Sequence, residues 1–286
     1  MVDSLFFATL LGALQAILLN IGKGLQKTAI GNKELVTKRQ KRINQFLWVL
    51  GTILIILSTF VLMQAEMFGF LPVISSMTGV GIISVVLFSY FFLREQIRRN
   101  ELVGICLIII GTFAVPLFSS TNPGGSMDTW GVTFYSLFLI IFCVCIAIYA
   151  FRSGKRLFGI IFGTISGIVG GLSVIFQYTA MRFGPSGDLF TDIWIIVSTF
   201  PAVLYFILFA VGGILEFLIT QYAFTNGKAI EVVPANQSFF ILIPIAGSVI
   251  IFAEEFNLLQ IVGFIFIILG VIFCTAFKPV SKGENK

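Results

Sequence analysis

The sequence predicts an all-α polytopic membrane protein of about nine transmembrane helices in two inverted repeats, four helices followed by five. Three observations lead there. Hydrophobic residues make up 58% of the chain and charged residues only 11%, against about a quarter charged in soluble domains, and the mean hydropathy is +1.05. Nine apolar runs approach the ~20 residues that a helix needs to cross a hydrocarbon core of about 30 Å. Of the 18 Lys and Arg residues, all but Arg182 fall in segments that an alternating count of nine spans puts on one side.

The spans cover residues 4–20, 46–64, 70–93, 102–118, 132–149, 157–178, 193–224, 229–252 and 258–276. The seventh is overlong and carries Pro201, which removes a backbone donor, so it is expected to tilt, kink or begin as a surface segment. Basic residues follow the odd-numbered spans. They are Lys23, Lys27 and five more up to Arg42; Arg94, Arg98 and Arg99; Arg152, Lys155 and Arg156; Lys228; and Lys278, Lys282 and Lys286. The positive-inside rule makes that side cytoplasmic, with the N-terminus outside and the C-terminus inside a cell membrane. The first run has no basic residues ahead of it and reads as an uncleaved anchor rather than a signal peptide. The cations of residues 22–42 serve orientation and contact with anionic lipid, and no nucleic-acid partner is expected.

Cys106, Cys143, Cys145 and Cys274 all lie inside spans without a Cys-x-x-Cys pair, which argues against a disulfide or zinc framework. The chain has no histidine, so imidazole ligation, histidine acid–base catalysis and histidine proton relays are excluded. With no nucleophile motif and no paired acids, neither an enzymatic activity nor a cofactor is expected. Arg152-Ser-Gly-Lys-Arg156 lacks the spacing of a phosphate-binding loop.

The turn-forming stretch Ser-Ser-Thr-Asn-Pro-Gly-Gly-Ser-Met-Asp at 119–128 separates the halves. Residues 1–118 form the first repeat, 119–130 a linker, 131–278 the second repeat and 279–286 a cytoplasmic tail. Glu95 precedes Gly104 and Gly111 at the same spacing with which Glu254 precedes Gly263 and Gly270. The alternating count puts the two acids on opposite sides, so the repeats are inverted, as in transporters that open alternately to either face. The competing reading is coincidence between two glycine-containing apolar stretches.

Polar residues inside the spans mark the candidate site. Glu216 sits about two turns from the end of span seven among apolar neighbours. A carboxylate there costs about 2.5 kcal/mol or more unless it faces the bundle interior or a wet cavity. Thr220 lies one turn along the same face, with Gln221 beside it. Span eight opens with Glu231-Val-Val-Pro234-Ala-Asn236-Gln237-Ser238, where proline can free a carbonyl and the amides offer donors and acceptors. Gln177 in span six completes an expected substrate-binding set of Gln177, Glu216, Thr220, Gln221, Asn236 and Gln237, with Glu216 also the candidate metal ligand.

Blander readings stay open. They are a neutral or interface-reaching carboxyl at 216, a capped helix start at 231–238, and interhelical bonding for Gln15, Gln177 and the hydroxyls Ser75, Ser76 and Thr78. Glu66 reads as a rim charge at the outer mouth of span two, and Glu254 and Glu255 as boundary residues. Gly159, Gly163, Gly167 and Gly171 recur at every fourth position, a small-residue face for close helix packing or for sliding.

Several passages run in order through nearly the whole chain: Trp48-x-x-Gly51, Ser89-Tyr-Phe-Phe-Leu-Arg-Glu95 followed by Gly104, and Gly171-Leu-Ser-Val174. Thr220-Gln221 then leads through Asn226-Gly-Lys-Ala229 to Val232-Val-Pro234, with Phe252-Ala-Glu254 and Gly270 closing the series. This pattern resembles the drug/metabolite transporter superfamily, and its NIPA-like magnesium-transporter branch more closely than the ten-span EamA proteins. The resemblance implies nine helices, the first half one short, and magnesium as cargo. The chain departs from that branch at Thr59-Phe60-Val61-Leu62, which has no acid or amide, at Ser75-Ser76 in place of Thr-Pro, and near Gln177-Tyr178 in place of a lysine. Glu216 is then the carboxylate left for a divalent cation, which prefers oxygen ligands. The expected function is secondary transport of a small solute or cation by alternating access, among membrane lipids, with a homodimer allowed. An EamA-like exporter of organic metabolites or amines is the first alternative, and a lipid scramblase or non-transport membrane protein the second.

Overall fold

The computed structural model describes residues 2–31, 38–91, 99–118, 128–153, 158–183, 189–227 and 229–276. Lys33, Arg94, Glu95, Arg98, Lys155, Arg156, Lys228, residues 119–127 of the expected linker and the tail from 277 lie outside them, as do the side chains of Glu231, Pro234 and Cys274. Ten α-helices occupy the described residues, with no strand among them. They are α1 (Val2–Gly31), α2 (Lys38–Phe68), α3 (Leu71–Phe91), α4 (Arg99–Leu117), α5 (Thr129–Ser153), α6 (Phe158–Met181), α7 (Leu189–Ser198), α8 (Ala202–Asn226), α9 (Ala229–Phe252) and α10 (Leu258–Ala276).

Six of these, α1, α2, α5, α6, α8 and α9, are long and apolar enough to cross a membrane, and α3, α4 and α10 carry the shorter apolar stretches Leu71–Gly81, Leu102–Val115 and Leu258–Gly270. Phe134 and Phe138 on α5 and Phe190 and Trp194 on α7 point their rings outward. Apolar surface on that scale fits a multi-pass protein whose surroundings are lipid.

Two expected boundaries move. The first span does not end at Asn20: α1 continues to Gly31, so Lys23 and Lys27 belong to a helix and not to a loop. The seventh span breaks in two around Pro201, the N-cap of α8, because proline lacks the amide proton and disfavours helical geometry in the residue before it. The detached α7 has 10 residues, about 15 Å of helix, too short to cross.

Contacts at the helix ends show that the long helices alternate in direction. Ala8 packs under Gly69, the Asp128 amide donates to the Ile251 carbonyl at 3.1 Å, and Tyr178 meets Glu254, all at one end. Gly159 meets Gly227 and Lys27 reaches the Gly227 carbonyl at the other. The basic starts of α2 and α4 and the basic finish of α5 lie at this second end, and Arg182 at the first.

The most buried long helix is α6, which packs on α8 and α9, while α1 packs on α2 and α3. Farther out, α3 touches α4 and α9, α10 touches α4 and α9, and α5 lies on α6 and α9. The closest crossings run over glycine. A Cβ on Gly270 would stand 2.5 Å from the Gly104 carbonyl oxygen, and one on Gly111 would strike that of Gly263. Along α6, Gly159, Gly163, Gly167 and Gly171 face Gly227, Val232, Asn236 and Ile243, so this glycine row is a packing face that seats α9 directly on the backbone of α6.

Candidate functional site

Lys23 is the centre of the polar interior. Its side chain is 2% exposed, and Nζ donates to Glu216 Oε1 at 2.9 Å and to Asn236 Oδ1 at 2.8 Å, 5.5 Å from the Phe240 ring centroid. The same Glu216 oxygen accepts from Thr220 Oγ1 at 3.1 Å and Asn236 Nδ2 at 3.3 Å. Asn236 also donates to Ser166 Oγ at 2.9 Å, whose own proton goes to the Gly163 carbonyl. Three helices thus meet at one ion pair, α1 supplying the cation, α8 the anion and α9 the bridging amide. The helical period explains the Glu216–Thr220 alignment, and the close seat of α9 on Gly163 and Gly167 brings Asn236 within reach.

The other expected residues divide. Gln237 Nε2 donates to Asn20 Oδ1 at 2.9 Å, and Gln221 Nε2 donates to Gln26 Oε1 at 2.6 Å, with Gln26 Nε2 donating in turn to Thr52 Oγ1 at 2.9 Å. These amides tie α9 and α8 to α1 beside the ion pair. Lys27 donates to the carbonyls of Phe224 and Gly227 at 2.7 and 2.8 Å, a cation on the exposed carbonyls where α8 ends. Gln177 stands apart, buried on α6, its Nε2 donating to Glu66 Oε2 at 3.0 Å. Glu66 is therefore not a solvated rim charge: it is 7% exposed, and its Oε1 and Gln177 Oε1 have no hydrogen-bond partner among the described residues.

Between these two polar groups lies a cavity of about 450 Å³, walled by α1, α2, α6 and α8, with Phe240 of α9. Gln15, Gln177 and Glu216 are on its wall together with Phe60, Phe209 and Phe217. Its size is that of sites for small organic molecules, and so is its mixture of many apolar and few polar groups.

Glu254 closes the far end. It is 7% exposed, although its position after α9 reads as a boundary, because the left-handed turn at Ala253 (φ 48°) folds it back and its amide bonds the Ser248 carbonyl at 3.1 Å. Tyr178 Oη donates to Glu254 Oε1 at 3.5 Å and accepts from Arg182 at 3.0 Å, and the Arg182 guanidinium lies 3.8 Å from the carboxylate. Burial pushes the Glu254 carboxyl up to about 7, against the opposing pull of Arg182 and of the Ser248 and Tyr178 hydrogen bonds.

No protein-family model matches the chain, nor does any curated protein or solved structure. No group of three or more His, Cys, Asp or Glu side chains placed to hold a metal occurs among the described residues. At Glu216 the Lys23 ammonium already holds Oε1, which leaves one carboxylate oxygen, whereas a hard divalent ion seeks about six oxygens.

Proposed function

We propose that this protein is a secondary transporter of the drug/metabolite type that moves a small organic solute by alternating access through the cavity between α1, α2, α6 and α8. The observation that carries the reading is a buried ion pair, Lys23 with Glu216, at the wall of a solute-sized cavity inside an apolar helix bundle. Charges at such depth are costly and mark transport paths.

Helix packing supports inverted repeats. Exchanging α1, α2, α3 and α4 with α6, α8, α9 and α10 turns α1·α2, α1·α3, α3·α4 and α2·α6 into α6·α8, α6·α9, α9·α10 and α8·α1, all of them contacts that exist. The pairs α3·α9 and α4·α10 map onto themselves, and Gly104 on Gly270 exchanges with Gly263 on Gly111. Only α5 and the short α7 lack counterparts, and since α7 is too short to cross, the crossings divide as four plus five. With α3, α4 and α10 counted as crossings the total is nine, the basic end faces the cytoplasm, and the N-terminus lies outside a cell membrane.

Magnesium is the cargo that the family resemblance implies. An organic solute suits the geometry better, since one carboxylate already neutralised by Lys23 is a poor divalent site and the cavity walls are mostly apolar.

The test is access. In a background lacking Cys106, Cys143, Cys145 and Cys274, a Thr59→Cys cavity variant is labelled with a charged, impermeant maleimide in right-side-out and in inside-out membrane vesicles. Labelling from both faces is expected. Labelling from one face only, or from neither, would overturn alternating access through this cavity.

A further inference from the structure

We infer that the cavity is a receptor for a protonated organic amine on an apolar or aromatic body, its N–H groups accepted by Glu216. The inference names the substrate class of the proposed transporter and rests on that reading for its purpose.

The cavity wall is a surface of lone pairs. Thr52 donates its hydroxyl proton to the Trp48 carbonyl at 3.0 Å, Ser58 and Thr59 both donate to that of Ile55 at 2.7 and 3.3 Å, and Ser173 donates to that of Phe209 at 2.9 Å. A hydroxyl has one proton and two lone pairs, so each of these four can offer the cavity acceptors alone. Gln177 gives its amide to Glu66, which fixes its carbonyl oxygen as the free end, fully buried and unpartnered. Glu216 is an acceptor whose Oε1 is engaged by Lys23, Thr220 and Asn236, while no described residue donates to its second oxygen. Gln15 is the one wall amide that no hydrogen bond orients. Lys23 stands behind Glu216, bonded to Asn236, and takes no part in the wall.

Apart from Gln15, whose amide brings two N–H donors of its own, a ligand in such a site must bring the protons itself. A carboxylate or phosphate would lose its hydration to face a carboxylate and unpaired oxygens, and Gln15 alone would not compensate. An ammonium satisfies them, and Phe60, Phe209, Phe217 and Phe240 on the wall offer its organic body apolar contact.

The cavity also opens sideways. Ile56, Phe60 and Ile214 line it and are nonetheless 54%, 50% and 61% exposed on the outer surface of α2 and α8. Those two helices meet at the Trp48 and Phe217 rings, 6.0 Å apart, and share little other close packing. In a bilayer this seam faces acyl chains, so an apolar body reaches the site from the membrane phase.

Lys23 gives the proposal a sign. Its charge opposes a second cation at Glu216, so removing Lys23 should tighten amine binding and neutralising Glu216 should loosen it. A site for anions demands the reverse.

The experiment is calorimetric titration of the purified full chain in lipid nanodiscs with 2-phenylethylammonium and with 3-phenylpropionate. The ammonium alone should bind, about tenfold or more tighter in Lys23→Met and about tenfold or more weaker in Glu216→Gln. Equal or better binding of the carboxylate, the opposite signs in the two variants, or no binding of either probe overturns the assignment. If a single variant does not fold, the charge-free double variant Lys23→Met with Glu216→Met replaces it, and unchanged ammonium affinity there is also fatal. Ammonium binding without flux of the same amine into proteoliposomes sinks the transport reading and keeps the ligand. Cysteine labelling from both faces without ammonium binding does the converse.

Discussion

Replacing Lys23 by Met, Glu216 by Gln, and both together should cost stability in a strongly non-additive way. The charged atoms are 2.9 Å apart on side chains that are 2% and 10% exposed. At an effective dielectric of about 20 they attract by about 6 kcal/mol, while each costs several kcal/mol to withdraw from water. The pair is therefore worth little in net terms, and orphaning one partner costs about 3–5 kcal/mol. Asn236 deepens that loss at Lys23→Met, since its Oδ1 loses a donor along with Glu216. The double variant leaves no charge behind and should lose no more than either single one, a coupling of about 3 kcal/mol. Unfolding in mixed micelles of dodecyl maltoside and rising sodium dodecyl sulfate, followed by far-ultraviolet circular dichroism, measures all four proteins. Losses that add to within about 0.5 kcal/mol, or a Glu216→Gln loss below about 1 kcal/mol, would refute the reasoning.

Gly167→Ala should cost about 1–3 kcal/mol in the same assay, because the new methyl falls on the Asn236 carbonyl and pushes α9 off α6. Gly213→Ala, whose methyl meets nothing nearer than Ser173 Oγ at 3.8 Å, should be neutral or stabilising by up to about 1 kcal/mol; equal losses at the two positions would show that the α6–α9 contact does not govern the cost. With the Glu254 carboxyl raised from an ordinary 4.5 to about 7, the folded chain holds that proton more tightly than the unfolded one. Its contribution, about 3 kcal/mol, is fully present below pH 4.5 and lost as pH rises through about 7. The melting temperature should therefore fall between about pH 5 and pH 8 in the wild type and stay level in Glu254→Gln; matching slopes would remove Glu254 as the cause. Liposomes holding the protein and a trapped magnesium dye should show no more uptake than empty ones, and wild-type uptake abolished by Glu216→Gln would restore the divalent-cation reading.

Glu216, Thr220 and Asn236 are legible in the sequence because a polar residue in an apolar helix is costly enough to need a partner, and the helical period puts 216 and 220 on one face. Their partner is not. Counting about 20 apolar residues from the start closes the first span at Asn20 and turns Lys23 into one more orientation charge. Yet residues 21–31 hold no proline, and Gly22 and Gly24 weaken a helix without ending it. Leu25, Ala29 and Ile30 prolong the apolar pattern, and Asn20, Lys23 and Lys27 share one face, which is the signal that could have found it. Glu66 and Glu254 look like rim residues because each stands near the end of a span, and what buries them belongs to α6: Gln177, Tyr178 and Arg182 beyond its last turn. No local pattern joins residue 66 to 177; only the packing of α2 on α6 does. The matched glycine spacing is legible in the sequence, but that Gly104 and Gly111 lie against Gly270 and Gly263 is a tertiary fact.

The glycine crossing of α4 and α10 has a further consequence. A contact that returns to itself when the halves are exchanged is the contact that two separate antiparallel polypeptides make as a dimer, and it owes nothing to the peptide link between them. Cutting the chain between residues 118 and 128 converts that crossing from an internal contact into a subunit interface. The only loss is the high effective concentration that a covalent tether supplies, roughly millimolar for a short one. Four-helix and six-helix fragments produced together should therefore find one another in the membrane and copurify, and alanine at Gly111 in one fragment or at Gly270 in the other should each weaken the association.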